Sequence, residues 1–234
     1  MKKIFTALTI CAIGFTNAQS LVGGWEMITK EDGKEIKMSV IFSDKYQVGT
    51  WFDNTTGEFI STNGGTWSLN GKTLTETVEF DTRDSTRVGT SVSFDIEWSD
   101  TELKIVDSDV VLTRTDAGKP GSLGGAWLMS GRIRNGEMQE RSTDRPRKTM
   151  KILSGTRFQW IAYNTRTKQF MGTGGGSYTT VDGKYTENIE FFSRDNSRVG
   201  TALEFKYEMK DGKWHHSGNN SRGEPLYEVW SVRN

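Results

Sequence analysis

Cysteine is almost missing from this sequence: the single Cys11 lies in an apolar run at the N-terminus. The remaining chain therefore has no disulfide framework and no thiolate set for zinc or an iron–sulfur cluster. Each folded unit must rest on its own core. Proline occurs three times and histidine twice, as the adjacent pair His215-His216. On a strand those two rings point to opposite faces, so they do not converge on one metal, and no metal or other cofactor is expected. Charge of one sign is not in excess either. The 30 Lys and Arg balance 30 Asp and Glu, which argues against nucleic acid or an anionic membrane surface as a partner. Beyond residue 20 no apolar run is long enough to span a bilayer. No phosphate-binding glycine loop, nucleophile elbow or zinc-spaced motif occurs.

Residues 1–18 read as an export signal. Lys2 and Lys3 precede the apolar run Ile4–Phe15, and Thr16-Asn17-Ala18 offers a cleavage site before Gln19. Ile10 stands where a lipidation site would need a small residue before the cysteine. The expected location is the periplasm or the extracellular medium.

The chain that follows is a duplication. Thr75-Glu76-Thr77-Val78-Glu79-Phe80 and Arg83-Asp84-Ser85-Thr86-Arg87-Val88-Gly89-Thr90 recur 111 residues later. The second copy reads Thr186-Glu187-Asn188-Ile189-Glu190-Phe191 and Arg194-Asp195-Asn196-Ser197-Arg198-Val199-Gly200-Thr201. A repeat of that period means duplicated domains. Within each copy, short runs rich in aromatic and β-branched residues alternate with Gly, Asn and Asp turns such as Asp32-Gly33, Asn70-Gly71, Asn135-Gly136 and Asp182-Gly183. That is the pattern of an antiparallel meander of about eight strands. Asn63-Gly64-Gly65 and Gly174-Gly175-Gly176 read as bulges or bends. Closing such a meander into a barrel removes its edges, and a barrel of about eight strands is wide enough for packed side chains or one small ligand. The expected architecture is all-β: two tandem up-and-down barrels, at residues 19–116 and 123–234, joined by a linker at 117–122. In aligning the copies, Met38 and Val40 match Met150 and Ile152, and Phe158 and Trp160 replace Tyr46 and Val48.

Each copy opens on Gly-x-Trp and closes on an arginine: Gly23-Gly24-Trp25 with Arg114, and Gly125-Ala126-Trp127 with Arg233. In these motifs the chain resembles two tandem domains of the lipocalin and fatty-acid-binding superfamily, the calycins. It is similar to the short lipocalin-like domains of uncharacterised exported proteins from Bacteroidetes-type bacteria, which carry Gly-Gly-Gly-x-Tyr, Gly-Lys-Tyr-Thr-Glu and Ile-Glu-Phe runs like those here. The resemblance implies that Arg114 lies across Trp25 and Arg233 across Trp127, closing the barrel floors. A tight turn stands where the fatty-acid-binding branch has a helical lid, and no ligand-binding residue transfers by motif.

Alternation along the strands nominates interior residues. Glu76 shares a face with Val78 and Phe80, and Glu187 with Ile189 and Phe191, so each barrel is expected to hold one inward carboxylate. Such a group needs a partner, a ligand or a raised pKa. Glu79 and Glu190, of opposite parity, are expected in solvent. Tyr46, Phe158, Trp160 and Tyr207 are placed on the interior walls as candidate ligand contacts. The Arg83-Asp84 and Arg194-Asp195 turns read as self-bonded hairpins. Three functions fit this pattern. The first is non-catalytic binding of a small apolar or amphipathic molecule in one or both barrels. The second is an interaction module with filled barrels that binds a protein or glycan. The third is an enzyme using Glu76 or Glu187 as acid or base.

Overall fold

A computed structural model describes residues 20–119, 122–220 and 222–234; the export signal expected at 1–18 lies outside them. The first repeat forms β1 (Gly23–Glu31), β2 (Lys34–Phe42), β3 (Tyr46–Asp53), β4 (Phe59–Asn70), β5 (Thr73–Asp81), β6 (Ser91–Trp98), β7 (Glu102–Ile105) and β8 (Val111–Asp116). Each strand pairs antiparallel with the next, and β8 returns to β1 with Arg114 opposite Trp25, so the sheet closes.

The second repeat forms β9 (Gly125–Arg134), β10 (Glu137–Glu140), β11 (Arg147–Leu153), β12 (Arg157–Asn164), β13 (Gln169–Val181), β14 (Lys184–Phe192), β15 (Ala202–Lys210), β16 (Lys213–Asn219) and β17 (Pro225–Val232). β17 pairs with β9 and closes this sheet as well. Both β10 and β11 pair with β9, along different halves of it. They are one strand broken by residues 141–146, a break that β2 lacks. The molecule is thus two closed antiparallel barrels of eight strands. Among the described residues, no helix is long and apolar enough to cross a membrane.

Strand pairing fixes how the repeats correspond. Gly64 lies opposite Phe80 and Gly175 opposite Phe191. Val40 lies opposite Trp25 and Lys151 opposite Trp127. The offset of 111 therefore holds from β2 to β7 against β11 to β16, whereas Trp25 and Trp127 stand 102 apart, the inserted break making up the difference. Aligning Tyr46 with Phe158 and Val40 with Ile152 is one residue out, and a slip of one reverses the face of every side chain. Val40 corresponds to Lys151, and Tyr46 to Arg157. The bulges lie where the glycines suggested, between Gly64 and Gly65 and between Gly175 and Gly176. A Cβ on Gly65 would collide with the Thr77 carbonyl, and one on Gly176 with that of Asn188. Each bulge inserts one glutamate, Glu79 or Glu190, between paired residues and reverses the alternation beyond it. Phe80 and Phe191 consequently leave the interior face expected for them.

They go to the other barrel. Ile41, Tyr46, Val48 and Phe80 of the first repeat pack with Ala126, Leu128, Met150, Ile152, Ile161 and Tyr163 of the second in one core between the barrels. β3 and β12 are buried along both faces, as strands covered on two sides are. Contacts across this seam are reciprocal. The Phe80 and Tyr163 rings lie 4.8 Å apart, and those of Phe52 and Phe191, the corresponding pair exchanged between barrels, 4.9 Å apart. Asn196 Nδ2 donates to the Thr56 carbonyl and Lys168 Nζ to that of Thr86. Phe59 stacks on its own counterpart, Phe170, at 6.1 Å. A residue meeting its equivalent marks the axis of a two-fold, isologous contact. Gln159 sits beside that axis and donates to Thr62 and its counterpart Thr173.

Charge crosses the seam too, and here the expectation of solvated glutamates fails. Glu190 accepts both Nη atoms of Arg157, at 2.6 and 2.7 Å, and Lys37 of the first barrel reaches it at 3.5 Å. Burial opposes its ionisation, but these cations outweigh burial and hold its carboxyl below the usual range. Glu79 has Tyr46 in place of the arginine. Its guanidinium comes from the other barrel: Arg233 Nη2 donates at 2.7 Å while the group stacks 4.1 Å from the Tyr46 ring, and Tyr163 adds its hydroxyl at 2.5 Å. Asp116, at the mouth of the linker, accepts from Ser154, Gly155 and both the amide and hydroxyl of Thr156. It pins the end of β8 to the β11–β12 turn.

Candidate functional site

The two barrel interiors share one position and differ around it. Glu187 of β14 and Glu76 of β5 are equivalent, and both point inward. In the second barrel the residue that faces it across the interior is Lys151, held inside because it shares parity with Leu153 on β11. Lys151 Nζ lies 2.6 Å from Glu187 Oε1 and 3.4 Å from His216 Nδ1. Aromatic rings enclose the ammonium: Tyr185 and Trp214 at 5.0 Å and Trp230 at 5.2 Å, within cation–π range. Burial first, and then the Lys151 charge, hold His216 well below its ordinary pKa. The ring is neutral, and Nδ1 facing Lys151 is the acceptor. Two donors around the pair, Trp214 Nε1 and His216 Nε2, have no partner among the described residues, while the Tyr185 hydroxyl and the Trp230 indole face the carboxylates of Glu187 and Glu228.

Glu228 of β17 stands nearby, opposite Arg132 across the β9–β17 pairing. Burial pushes its pKa up, and Glu187 adds to that, against the pull of Lys151, Trp230 and Arg132. A cavity of about 390 Å³ opens on the ion pair, with Trp160, Phe192, Leu203, Leu226 and Glu228 among its walls and Lys151 and Glu187 at its floor. Apolar walls with few, converging polar groups are the usual composition of a small-molecule site.

The first barrel keeps the carboxylate and loses the cation. Where the second has Lys151, it has Val40. Its cavity is smaller, about 190 Å³, with apolar side chains, Gln47, Asn63 and Glu76 on its walls. Burial raises the Glu76 pKa to about 7, opposed only in part by the charge of Arg87.

The remaining candidates separate by position. Trp160 lines the larger cavity. Phe158 is buried beneath it, with its ring edge-on to Tyr185 at 6.4 Å. Tyr207 faces inward at the opposite end, near Ser122. Tyr46, expected on an interior wall, lies in the seam between the barrels, its hydroxyl bonded to the Asn234 carbonyl. Arg114 stacks 4.0 Å from the Trp25 ring and donates to the carbonyls of Val22 and Ser20. Arg233, expected across Trp127, faces outward because Val232, not Arg233, pairs with Trp127. Trp127 keeps the other half of the arrangement: its Nε1 bonds the Leu123 carbonyl as Trp25 Nε1 bonds that of Leu21, both at 2.9 Å. Trp214 lies edge-on to it at 5.9 Å.

The Arg83-Asp84 and Arg194-Asp195 turns are short 3-10 turns capped by their own aspartates, with Arg87 on Asp81 and Arg198 on Asp195. His215 points away from His216 and bonds the Tyr227 hydroxyl at 2.8 Å.

Lys151 and Glu228 are functional candidates that the sequence reading missed. A signal for Lys151 existed: it is the one charged residue in Thr149–Leu153, and the 111-residue offset places it at the position of Val40 in the first repeat. Residues 122–231, which take in nearly the whole second barrel, are similar to the family described as "Domain of unknown function (DUF4488)". A search of curated proteins finds no match.

Proposed function

We propose that this is a non-catalytic binding protein that holds a small amphipathic molecule in the second barrel, after export and removal of residues 1–18. One observation carries the reading: a cavity of about 390 Å³ with apolar walls ends on a buried Lys151–Glu187 pair beside two unpartnered donors, Trp214 Nε1 and His216 Nε2. A buried ion pair is costly to keep where apolar side chains would pack as well. Its retention, together with an orphaned indole and an orphaned imidazole donor, fits a ligand that brings a polar group to this floor. The apolar part of that ligand lies on Trp160, Phe192, Leu203 and Leu226. The cavities in both barrels favour this reading over an interaction module with filled barrels.

The test is native mass spectrometry of protein purified gently from its own compartment, with tryptophan emission read alongside. A discrete added mass that leaves on denaturation, with a change in emission, supports the reading. A bare mass, with no emission response to a broad panel of lipids and metabolites, overturns it.

Acid–base catalysis is the second reading, favoured by the contact of Lys151 with both Glu187 and neutral His216. Turnover of a panel compound that Glu187→Gln abolishes while binding persists would establish it.

A further inference from the structure

Residues 141–146, which break the second strand of the second barrel, have no counterpart in the first. The break builds a feature that the first barrel lacks. Arg132 of β9, Arg141 and Arg145 of the inserted segment, and Arg147 at the start of β11 line a hollow of about 420 Å³ together with Glu140 as its acidic side chain. None of the four arginines forms a salt bridge among the described residues. Their few bonds are to neutral groups: Arg132 Nε to Gln139 Oε1, and Arg141 to Thr149 Oγ1 and the Arg147 carbonyl. Burial, and then the like charges of Arg147, Arg132 and Arg145, lower the pKa of Arg141. Four guanidinium groups held together against their repulsion present many donors to one small volume.

The hollow sits at the mouth of the barrel. Thr149 lines both it and the interior cavity. Two residues below Thr149 on the same face is Lys151, and Arg132 is paired across strands with Glu228 of the cavity wall. A molecule with its body in the barrel therefore leaves its outer end among these arginines. Planar guanidinium forks match oxyanions two bonds at a time.

We infer that the arginine cluster formed by Arg132, Arg141, Arg145 and Arg147 binds the oxyanion head (phosphate, sulfate or carboxylate) of the molecule held in the second barrel. The ligand class is an anionic amphiphile. This deepens the reading proposed above and rests on it.

The test compares three probes with the same chain, below their aggregation limits: decyl phosphate, decanol and decyltrimethylammonium. Binding to the purified protein is read by tryptophan emission and calorimetry, for wild type and for Arg145→Gln/Arg147→Gln. Both substituted side chains are exposed, so the fold is kept. Decyl phosphate is expected to bind about tenfold or more tightly than decanol, to lose about that factor in the double variant, and to weaken with added salt. Decanol affinity is expected to stay unchanged in the variant. Equal binding of phosphate and alcohol, or of phosphate to variant and wild type, overturns the arginine assignment and leaves barrel binding standing. Inorganic phosphate binding that needs the arginines, with none of the three probes entering, overturns the barrel reading and with it the amphiphile. Retention on anionic phospholipid vesicles without uptake of free decyl phosphate would place the oxyanion in a bilayer and overturn the assignment to a bound monomer.

Discussion

Lys151 occupies in the second barrel the position that Val40 holds in the first, and the difference decides what each equivalent glutamate does. Glu187 is ion-paired at 2.6 Å, whereas Glu76 faces a smaller cavity with no lysine. Removing the cation alone strands a carboxylate among aromatic rings. Lys151→Met is expected to destabilise the protein by about 3–5 kcal/mol, and Lys151→Met/Glu187→Leu to recover most of that loss. Urea unfolding of the three proteins checks it; an additive double variant would show that the pair is not coupled.

Glu76 gives the first barrel a pH dependence of known sign. Its folded pKa, about 7, exceeds the unfolded value of 4.5. The folded state therefore binds more protons between those values, and stability falls as pH rises from about 4.5 to about 7, then levels. At full weight the change is about 3 kcal/mol, and less because Glu76 keeps some contact with solvent. Glu76→Gln is expected to flatten this slope in melts taken across the range. An unchanged slope would assign it to another group.

Asp116 works in the other direction. Burial opposes its ionisation, but the hydrogen bonds from Thr156, Ser154, Gly155 and Gly118 prevail and lower its pKa. Its contribution is present above the unfolded value of 3.8 and is lost as pH falls below it. Asp116→Ala is expected to cost about 3 kcal/mol near neutrality, since several charge-assisted bonds go at once. Measured at low pH, the variant and wild type should converge.

The shared core predicts that the barrels unfold together. Tryptophan emission and far-ultraviolet circular dichroism should trace one coincident transition. Arg233→Ala leaves Glu79 without its guanidinium and should lower the midpoint by the equivalent of about 2–4 kcal/mol. Two separated transitions in wild type would show that the seam does not couple the barrels.

Much of this architecture is legible in the sequence. The Gly-x-Trp openings, the Asn-Gly and Asp-Gly turns and the 111-residue echo led to two eight-stranded meanders, and the glycine pairs located the bulges. The inward position of Glu76 and Glu187 followed from alternation alone. What did not follow has two physical causes. A bulge adds one residue and reverses parity, which sent Phe80 and Phe191 outward and turned Glu79 and Glu190 into half-buried ion-pair partners. A one-residue slip in matching the repeats put Met150 and Ile152 inside and hid Lys151. The seam was legible in principle: β3 and β12 carry apolar residues on both faces, a pattern that a barrel with a solvated exterior does not need. The break at 141–146 showed only as an irregular interval between matching turns.

The stacking of Phe59 on Phe170 has an evolutionary consequence. Two-fold contacts of this kind ordinarily join separate identical subunits, and any substitution then appears on both sides at once. Joined in one chain, the halves inherit changes singly. A lysine gained in one barrel does not burden its twin, and an inserted arginine loop at one mouth need not be accommodated at the other. Covalent linkage thus releases the pair from the obligation to stay alike while keeping the symmetric seam that holds it together, and Arg233 supplying Glu79 from across that seam is one mark of the divergence this freedom allows.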